Sequence, residues 1–253
     1  QAKFLRLLER EGRLDRALES LPDESVLAEY QRDQIGLSRP EIAVLMAYAK
    51  NTLYETLMET HLPEENFLQH LLFDYFPKTL RERYHEFVLS HPLRREIVAT
   101  LATNEIINHM GGSFVFGSAE KTGQSYDDVV RAYYVASRLY GSKQFWEDIE
   151  NHTNLKAEHQ IQILSRLWNL VRRITTWILR SFPYPLAVEE VSQLFEKSIQ
   201  ELYKNFDVCI TQDMRERLGD EEEKYQKLGL TQDLATRLAR LEIIASSPDI
   251  VVI

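Results

Sequence analysis

The segment from Glu158 to Arg180, EHQIQILSRLWNLVRRITTWILR, constrains the fold more than any other. Ile163, Leu167, Leu170, Ile174 and Trp177 recur at spacings of four, three, four and three residues. Leu164, Trp168, Val171, Thr175 and Ile178 repeat that pattern one residue later. Two adjacent apolar stripes at helical period describe a helix covered on two sides by other elements. Arg166, Asn169, Arg173, Thr176 and Arg180 are left as the solvent strip. With its lead-in from Leu155, a helix is expected over residues 155–181. At 1.5 Å per residue it would be about 40 Å long, with the rest of the chain packed around it.

The remaining composition agrees with an all-α fold. The chain has 253 residues, 44% of them apolar, which is enough to bury a real core. Nine Gly and eight Pro are few for this length and favour long helices joined by short connections. No run of alternating apolar and polar residues bounded by turn pairs reads as a strand. The net charge of −9 argues against a nucleic-acid partner. No apolar run approaches the roughly 20 residues needed to span a membrane, so no membrane partner is expected. One cysteine, Cys209, permits no internal disulfide and suits a reducing compartment, so a cytoplasmic location is expected. The first residues, QAKFLRLLER, already read as the late turns of a helix, and the last, SPDIVVI, end on three apolar residues. The chain is therefore expected to be a fragment, truncated at its C-terminus.

Read in order, the chain is expected to form about ten helices. GRLDRALESL (12–21) reads as a short helix ended by Pro22, and Asp23 as the cap of the next, which Gly36 would close in a left-handed conformation. Ser38 with Glu41 is a capping box, with Pro40 in the first turn. Residues 64–76 form a helix with Phe67, Leu71, Leu72 and Tyr75 inward. Lys78 to Leu89 forms another, with Leu80, Tyr84, Phe87 and Val88 inward. Pro92 starts a long helix with Leu93, Ile97, Leu101, Val98, Ala102 and Ile106 buried, broken by Gly111-Gly112. Ser125 with Asp128 opens a helix that Gly141 ends. Phe145, Trp146 and Ile149 belong to a short one. The turn SFPYPLA after the long 155–181 helix marks an inner boundary, giving a helical domain over 1–182 and further helices over 183–253. Helices are expected over 187–207 and 211–228, and from Thr231 to near Ser246. An internal echo, LATNEII (101–107) and LARLEII (238–244), has the apolar triplets 114–116 and 251–253 at the same offset beyond it, as two copies of a helical unit would.

The stretch LSRPEIAVLMAYAK (37–50) resembles the L-[ST]-R-P-E-[IL]-A-V-L-x-A-Y-x-K signature of the large bacterial NAD-specific glutamate dehydrogenases, in the region following their catalytic domain. GRLDRALESLPDE, YFPKTLRERY (75–84), HPLRREIVATLATNEIINHMGGSFVF (91–116), DDVVRAYYVASRLYGSKQFWEDIE (127–150) and the long 155–181 helix are similar to segments of the same family, in the same order. The similarity covers about the first 180 residues. Beyond Phe182 it is mainly helical pattern. The resemblance implies a parent enzyme that oxidatively deaminates L-glutamate to 2-oxoglutarate and ammonia with NAD. Its nucleotide-binding domain and catalytic residues would lie before Gln1, so none is carried over to a position here. It also implies an upstream catalytic domain of the same chain as partner, and a homo-oligomer.

The residues themselves offer little chemistry. No G-x-G-x-x-G occurs. Gly111, Gly112 and Gly117 have the wrong spacing and follow a helix, so they read as a helix break and no cofactor site is expected in this chain. His85 and His91 flank a joint, and His152 and His159 are separated by the break expected at Asn151 and Asn154, so no metal site is expected. Glu64-Glu65, Glu189-Glu190 and Glu221-Glu222-Glu223 are neighbours that point apart on a helix and read as solvated charge. Glu96 and Glu105 read as partly buried partners of Arg94 or Arg95. Cys209 reads as a small core residue. Arg94-Arg95 and Arg172-Arg173 are weighed as anion sites, and helix surface is the preferred reading. The resemblance, together with this lack of chemistry, implies a structural, oligomerisation or regulatory part of a dehydrogenase that is itself inactive, with a free-standing helical interaction module as the alternative.

Overall fold

The computed structural model describes residues 1–245 of the protein. Every regular element among the described residues is helical, as expected, but there are fifteen α-helices and two 3-10 turns where about ten helices were expected. The chain divides into two compact units, Gln1–Asp127 and Asp128–Ile253.

The first unit contains α1 (Ala2–Arg10), α2 (Glu24–Arg32), α3 (Arg39–Met58), the 3-10 turns Leu62–Glu64 and Asn66–Leu68, α4 (Gln69–Tyr75), α5 (Lys78–Arg83), α6 (His85–Leu89), α7 (Arg94–Met110) and α8 (Phe114–Thr122). Its core is the packing of α7 against α3 and α4. Leu45, Ala49, Leu53 and Leu57 of α3 are buried, as are Val98, Ala102 and Ile106 of α7 and Leu71 and Leu72 of α4. The start of α3 is the expected capping box: the Ser38 N–H donates to Glu41 Oε2 at 2.6 Å, and the Ser38 hydroxyl accepts from the Glu41 N–H. Gly111 ends α7 with φ +80°. A Cβ on the following Gly112 would lie 3.1 Å from Ala49 Cβ, so glycine there lets the turn approach α3.

Several expectations in this unit need correction: the helix expected over 64–76 is two 3-10 turns followed by α4, which begins only at Gln69, and three others fail for a local reason. Residues 12–21 form turns, not a helix. Asp15 Oδ1 accepts from the N–H groups of Ala17 (2.8 Å) and Leu18 (3.3 Å), and Ser20 takes φ +54°. Such side-chain bonds compete with the helical ladder. Helix α2 is closed by Gln34 at φ +55°, with Ile35 N–H bonded back to the Tyr30 carbonyl at 2.8 Å, so the left-handed residue falls two positions before Gly36. The single helix expected over 78–89 is two, because Tyr84 sits at φ −126°, ψ 41°, outside helical geometry.

Side-chain pairing joins α1 to α2. Glu24 at the start of α2 accepts from Arg6 (2.8 Å) and Arg16 (2.7 Å), and Arg16 also pairs with Glu9 (2.6 Å). Hydrogen bonds from Arg6 and Arg16 lower the Glu24 carboxyl from 4.5 to about 2. A depressed carboxylate contributes stability above its unfolded value and loses it as pH falls through the folded one. The urea midpoint of wild type should therefore exceed that of Glu24→Gln near neutrality. That difference should shrink as the pH is lowered from 4.5 towards 2. The group is solvent-exposed, so the effect is small and salt-sensitive. A difference that stays constant across that window would mean the pair does not form.

The seam between the units falls in the first turn of α9 (Tyr126–Tyr140). The second unit continues through α10 (Ser142–Glu150), α11 (Ala157–Ser181), α12 (Val188–Lys204), α13 (Phe206–Cys209), α14 (Gln212–Leu228) and α15 (Gln232–Ile244). Gly141, at φ +60°, separates α9 from α10 as expected. Helix α11 is the 25-residue element read from the two stripes. Ile163, Leu167, Leu170, Ile174, Val171, Thr175 and Ile178 are all buried. It packs on α10, and α14 runs along α15. Thr231 caps α15 by accepting from the Leu234 N–H. The turn at 182–187 lies inside this unit, where Asp128 Oδ1 accepts from the Leu186 N–H at 3.2 Å. The segments 101–107 and 238–244 both lie on helices, α7 and α15. The expected end of α15 near Ser246, the terminal SPDIVVI and the 251–253 arm of the internal echo lie outside the described residues.

Candidate functional site

The solvent strip of α11 lines a groove. Arg166, Asn169, Leu170, Arg172, Arg173, Thr176, Trp177 and Arg180 form it with Glu242 of α15, enclosing about 710 Å³. Arg166 is occupied at one end. Its guanidinium pairs with Glu221 at 2.7 Å and Glu242 at 3.6 Å and lies 5.3 Å over the Tyr225 ring. Burial works against its charge, and the hydrogen bonds to Glu221 and Tyr225 outweigh it, so its pKa is raised. Burial and the neighbouring Glu242, whose carboxylate accepts from the Tyr225 hydroxyl, raise the Tyr225 pKa.

The other three arginines have no carboxylate within ion-pair reach among the described residues. Arg172 is held by stacking 5.1 Å over Trp168 and by a 3.4 Å bond to Asn169 Oδ1, and its Nε is buried without a hydrogen-bond acceptor. Arg173 donates through Nη2 to the Ala245 carbonyl at 2.9 Å, joining α11 to the end of α15. Arg180 is exposed. Arg173 and Arg180 are seven residues apart, about 10 Å along the helix axis.

A second cavity of about 450 Å³ lies between α9, α10, α12 and α15 in the same unit and also contains arginines. There they are neutralised: Arg138 by Glu196 (3.5 Å), Arg237 by Asp148 (2.9 Å), and Arg240 by Asp207 (3.2 Å). Its walls include Tyr140 and Tyr203, whose hydroxyls burial pushes up to about 12.

The first unit presents a different surface. Tyr75, Leu80, Tyr84, Phe87 and Leu93 are exposed, with Phe87 73% accessible. This corrects their expected inward placement, since only Val88 of α6 is buried. They fall on α4, α5, α6 and the entry to α7, and Tyr84 meets Phe87 edge-on at 6.2 Å. Half of the exposed large apolar side chains among the described residues lie in this one short stretch, a concentration that scattered surface residues do not give.

The remaining candidates are dispersed. Arg95 pairs with Glu64 and not with Glu96, whose buried Oε2 has no hydrogen-bond partner. His85 stacks on Phe73 at 4.8 Å and His91 leans on Phe76 at 5.5 Å. His152 lies between α10 and α11, whereas the His159 Nδ1 donates to the Leu228 carbonyl at 2.8 Å. Glu221 is tied to Arg166 and Lys224, and Glu223 pairs with Lys227 at 2.7 Å. Cys209, expected in the core, is exposed at the end of α13. Among the described residues no three His, Cys, Asp or Glu side chains converge as a metal site, and no helix is long and apolar enough to cross a membrane.

These observations define an all-α domain with a basic groove in one unit and, in the other, a stretch over residues 75–93 that exposes five large apolar side chains. Residues 34–253 match the family described as "Glutamate dehydrogenase, C-terminal", and the chain belongs to it. It is 38% identical over 184 residues to the NAD-specific glutamate dehydrogenase of Pseudomonas aeruginosa, covering 71% of this chain and 11% of that protein. It is 31% identical over 238 residues to the protein of the same name from Mycobacterium tuberculosis, and 30% identical over 238 residues to that of Halomonas elongata. Each of those two matches covers 94% of this chain and 15% of the relative. The chain thus spans under a sixth of the length of these relatives.

Proposed function

We propose that this chain is a non-catalytic helical part of an NAD-dependent glutamate dehydrogenase, in which it docks on the rest of its own polypeptide through the face formed by Tyr75, Leu80, Tyr84, Phe87 and Leu93. The parent reaction is the conversion of L-glutamate, NAD and water to 2-oxoglutarate, ammonia and NADH. The observation that carries the docking is the apolar face itself. Leaving several large apolar side chains in water forgoes about 1.5–3 kcal/mol for each that burial would recover. The occupant is the remainder of the same polypeptide, because the relatives are more than six times as long as the region matched. A cytoplasmic location goes with this reading, supported by the single cysteine.

The chain alone, mixed with L-glutamate and NAD, should produce no NADH above the uncatalysed rate. Turnover by the isolated chain would overturn the non-catalytic assignment. The docking half has its own readout in light scattering of the chain alone. A monomer is expected, whereas a stable dimer dispersed by Phe87→Glu would mean that a second copy covers the face instead.

A further inference from the structure

We infer that the groove along α11 binds a phosphorylated small molecule of nucleoside di- or triphosphate size. The inference is independent of the docking proposed above, which concerns the other unit. The groove contains four guanidinium groups on a single helix, in a chain whose net charge is −9. Among the described residues, only Arg166 is neutralised by carboxylates. In the second cavity, by contrast, every lining arginine has a carboxylate partner, so the two arginine-lined cavities of this unit differ in the charge they leave open.

The chemistry of the walls selects the ligand class. Guanidinium forks match phosphate oxygens in paired hydrogen bonds, and arginine cannot lose its charge in exchange. Arg172 is oriented before any ligand arrives, by Trp168 beneath it and Asn169 beside it, and its buried Nε lacks an acceptor. Arg173 has one nitrogen committed to the Ala245 carbonyl, which steadies it and leaves its remaining donors available. Arg180 lies two helical turns further along. An anion spanning Arg173 to Arg180 must extend about 10 Å, which a chain of phosphates with its sugar does and a single phosphate does not. The volume of about 710 Å³ falls in the range of pockets that hold molecules of nucleotide size. Trp177, partly exposed on the same wall, adds an aromatic surface of the kind on which bases stack.

Titration calorimetry of this chain with ATP tests the inference, with inorganic phosphate and 2-oxoglutarate as separate titrants. Arg180→Ala, Arg180→Glu and Arg138→Ala are the variants. Arg180 is exposed and supports no described contact, so the fold should survive both changes, as circular dichroism would check. One saturable site for ATP is expected, weakened by added salt. Inorganic phosphate should bind at least about tenfold more weakly and compete with ATP, since it engages fewer of the guanidinium groups. Arg180→Ala should raise the ATP Kd by about tenfold, Arg180→Glu by more, and Arg138→Ala, in the second cavity, not at all. Absence of saturable ATP binding, or ATP binding indifferent to Arg180→Glu, would overturn the site. Binding of 2-oxoglutarate as tight as that of ATP would overturn the ligand class.

Discussion

Phe195→Ala should destabilise the second unit by about 3–5 kcal/mol, more than any other single truncation considered. Phe195 is 2% exposed and meets Trp177 of α11 at 5.6 Å and Phe182 of the following turn at 5.7 Å, both edge to face, while Trp177 and Phe182 meet at 5.9 Å. Three rings from a helix, a turn and the next helix thus close on one another. Truncation removes a phenyl group from a site walled by rigid rings, which cannot collapse to fill the space, so a cavity cost adds to the lost transfer energy. Phe195→Leu keeps most of the apolar volume and loses the edge-to-face geometry, worth about 0.5–1.5 kcal/mol per pair. It should therefore cost well under half as much. The measurement is urea unfolding followed by tryptophan fluorescence. Trp146, Trp168 and Trp177 are the only tryptophans and all lie in the second unit, so the signal reports that unit alone. A shift below about 1 kcal/mol for Phe195→Ala would mean the rings are not packed as described.

Arg95→Ala should cost the first unit about 2 kcal/mol, a large effect for a residue that lies partly in solvent. Arg95 Nη2 donates to the carbonyls of Met58 and Thr60, each at 3.0 Å, and Nη1 pairs with Glu64. Met58 and Thr60 sit at the end of α3, where carbonyls lack intrahelical donors, so Arg95 fastens α7 to the C-terminus of α3 and satisfies that terminus. Its removal leaves those carbonyls and Glu64 short of a donor together. Lysine supplies the charge without the fork, so Arg95→Lys should recover less than half of the loss. Far-ultraviolet circular dichroism reports both helical units, so the part of its transition not matched by tryptophan fluorescence belongs to this one, which contains no tryptophan. Full recovery by lysine would show that charge alone matters and that the forked contact to the two carbonyls does not.

The legible parts of this fold are those set by local chemistry. The stripes of α11, the Ser38–Glu41 box, the Thr231 cap and the Gly141 stop each depend on residues within a turn or two of one another, and each appears where its pattern places it. The misread parts depend on what lies elsewhere. The spacing of Tyr75, Leu80, Tyr84 and Phe87 marks an apolar face but carries no information about whether this chain supplies its cover. The break at Tyr84 then gives α5 and α6 separate directions, which a continuous helical pattern cannot anticipate. Likewise, the strip from Arg166 to Arg180 is visible as polar positions on one helix. That it becomes the wall of a groove depends on Glu242 of α15, which stands more than sixty residues away. Arg95 pairs with Glu64 for the same reason: the partner is fixed by how α7 crosses the end of α3, not by proximity in sequence to Glu96. The family resemblance carried what local chemistry could not, and the match over residues 34–253 bears it out.

The most direct test of the central claim is glutamate-dependent NAD reduction by the full-length polypeptide bearing Phe87→Glu and Leu93→Glu. The same pair is placed in this chain alone to follow its unfolding. Both side chains are exposed, at 73% and 55%, so the isolated chain should unfold at the wild-type urea concentration. The full-length polypeptide should lose most of its activity, because two carboxylates would then be forced into an apolar contact, at a cost of several kcal/mol if they are buried charged. Wild-type activity in the full-length variant, with the isolated chain equally unaffected, would contradict the account, since the apolar face would then take no part in supporting the dehydrogenase.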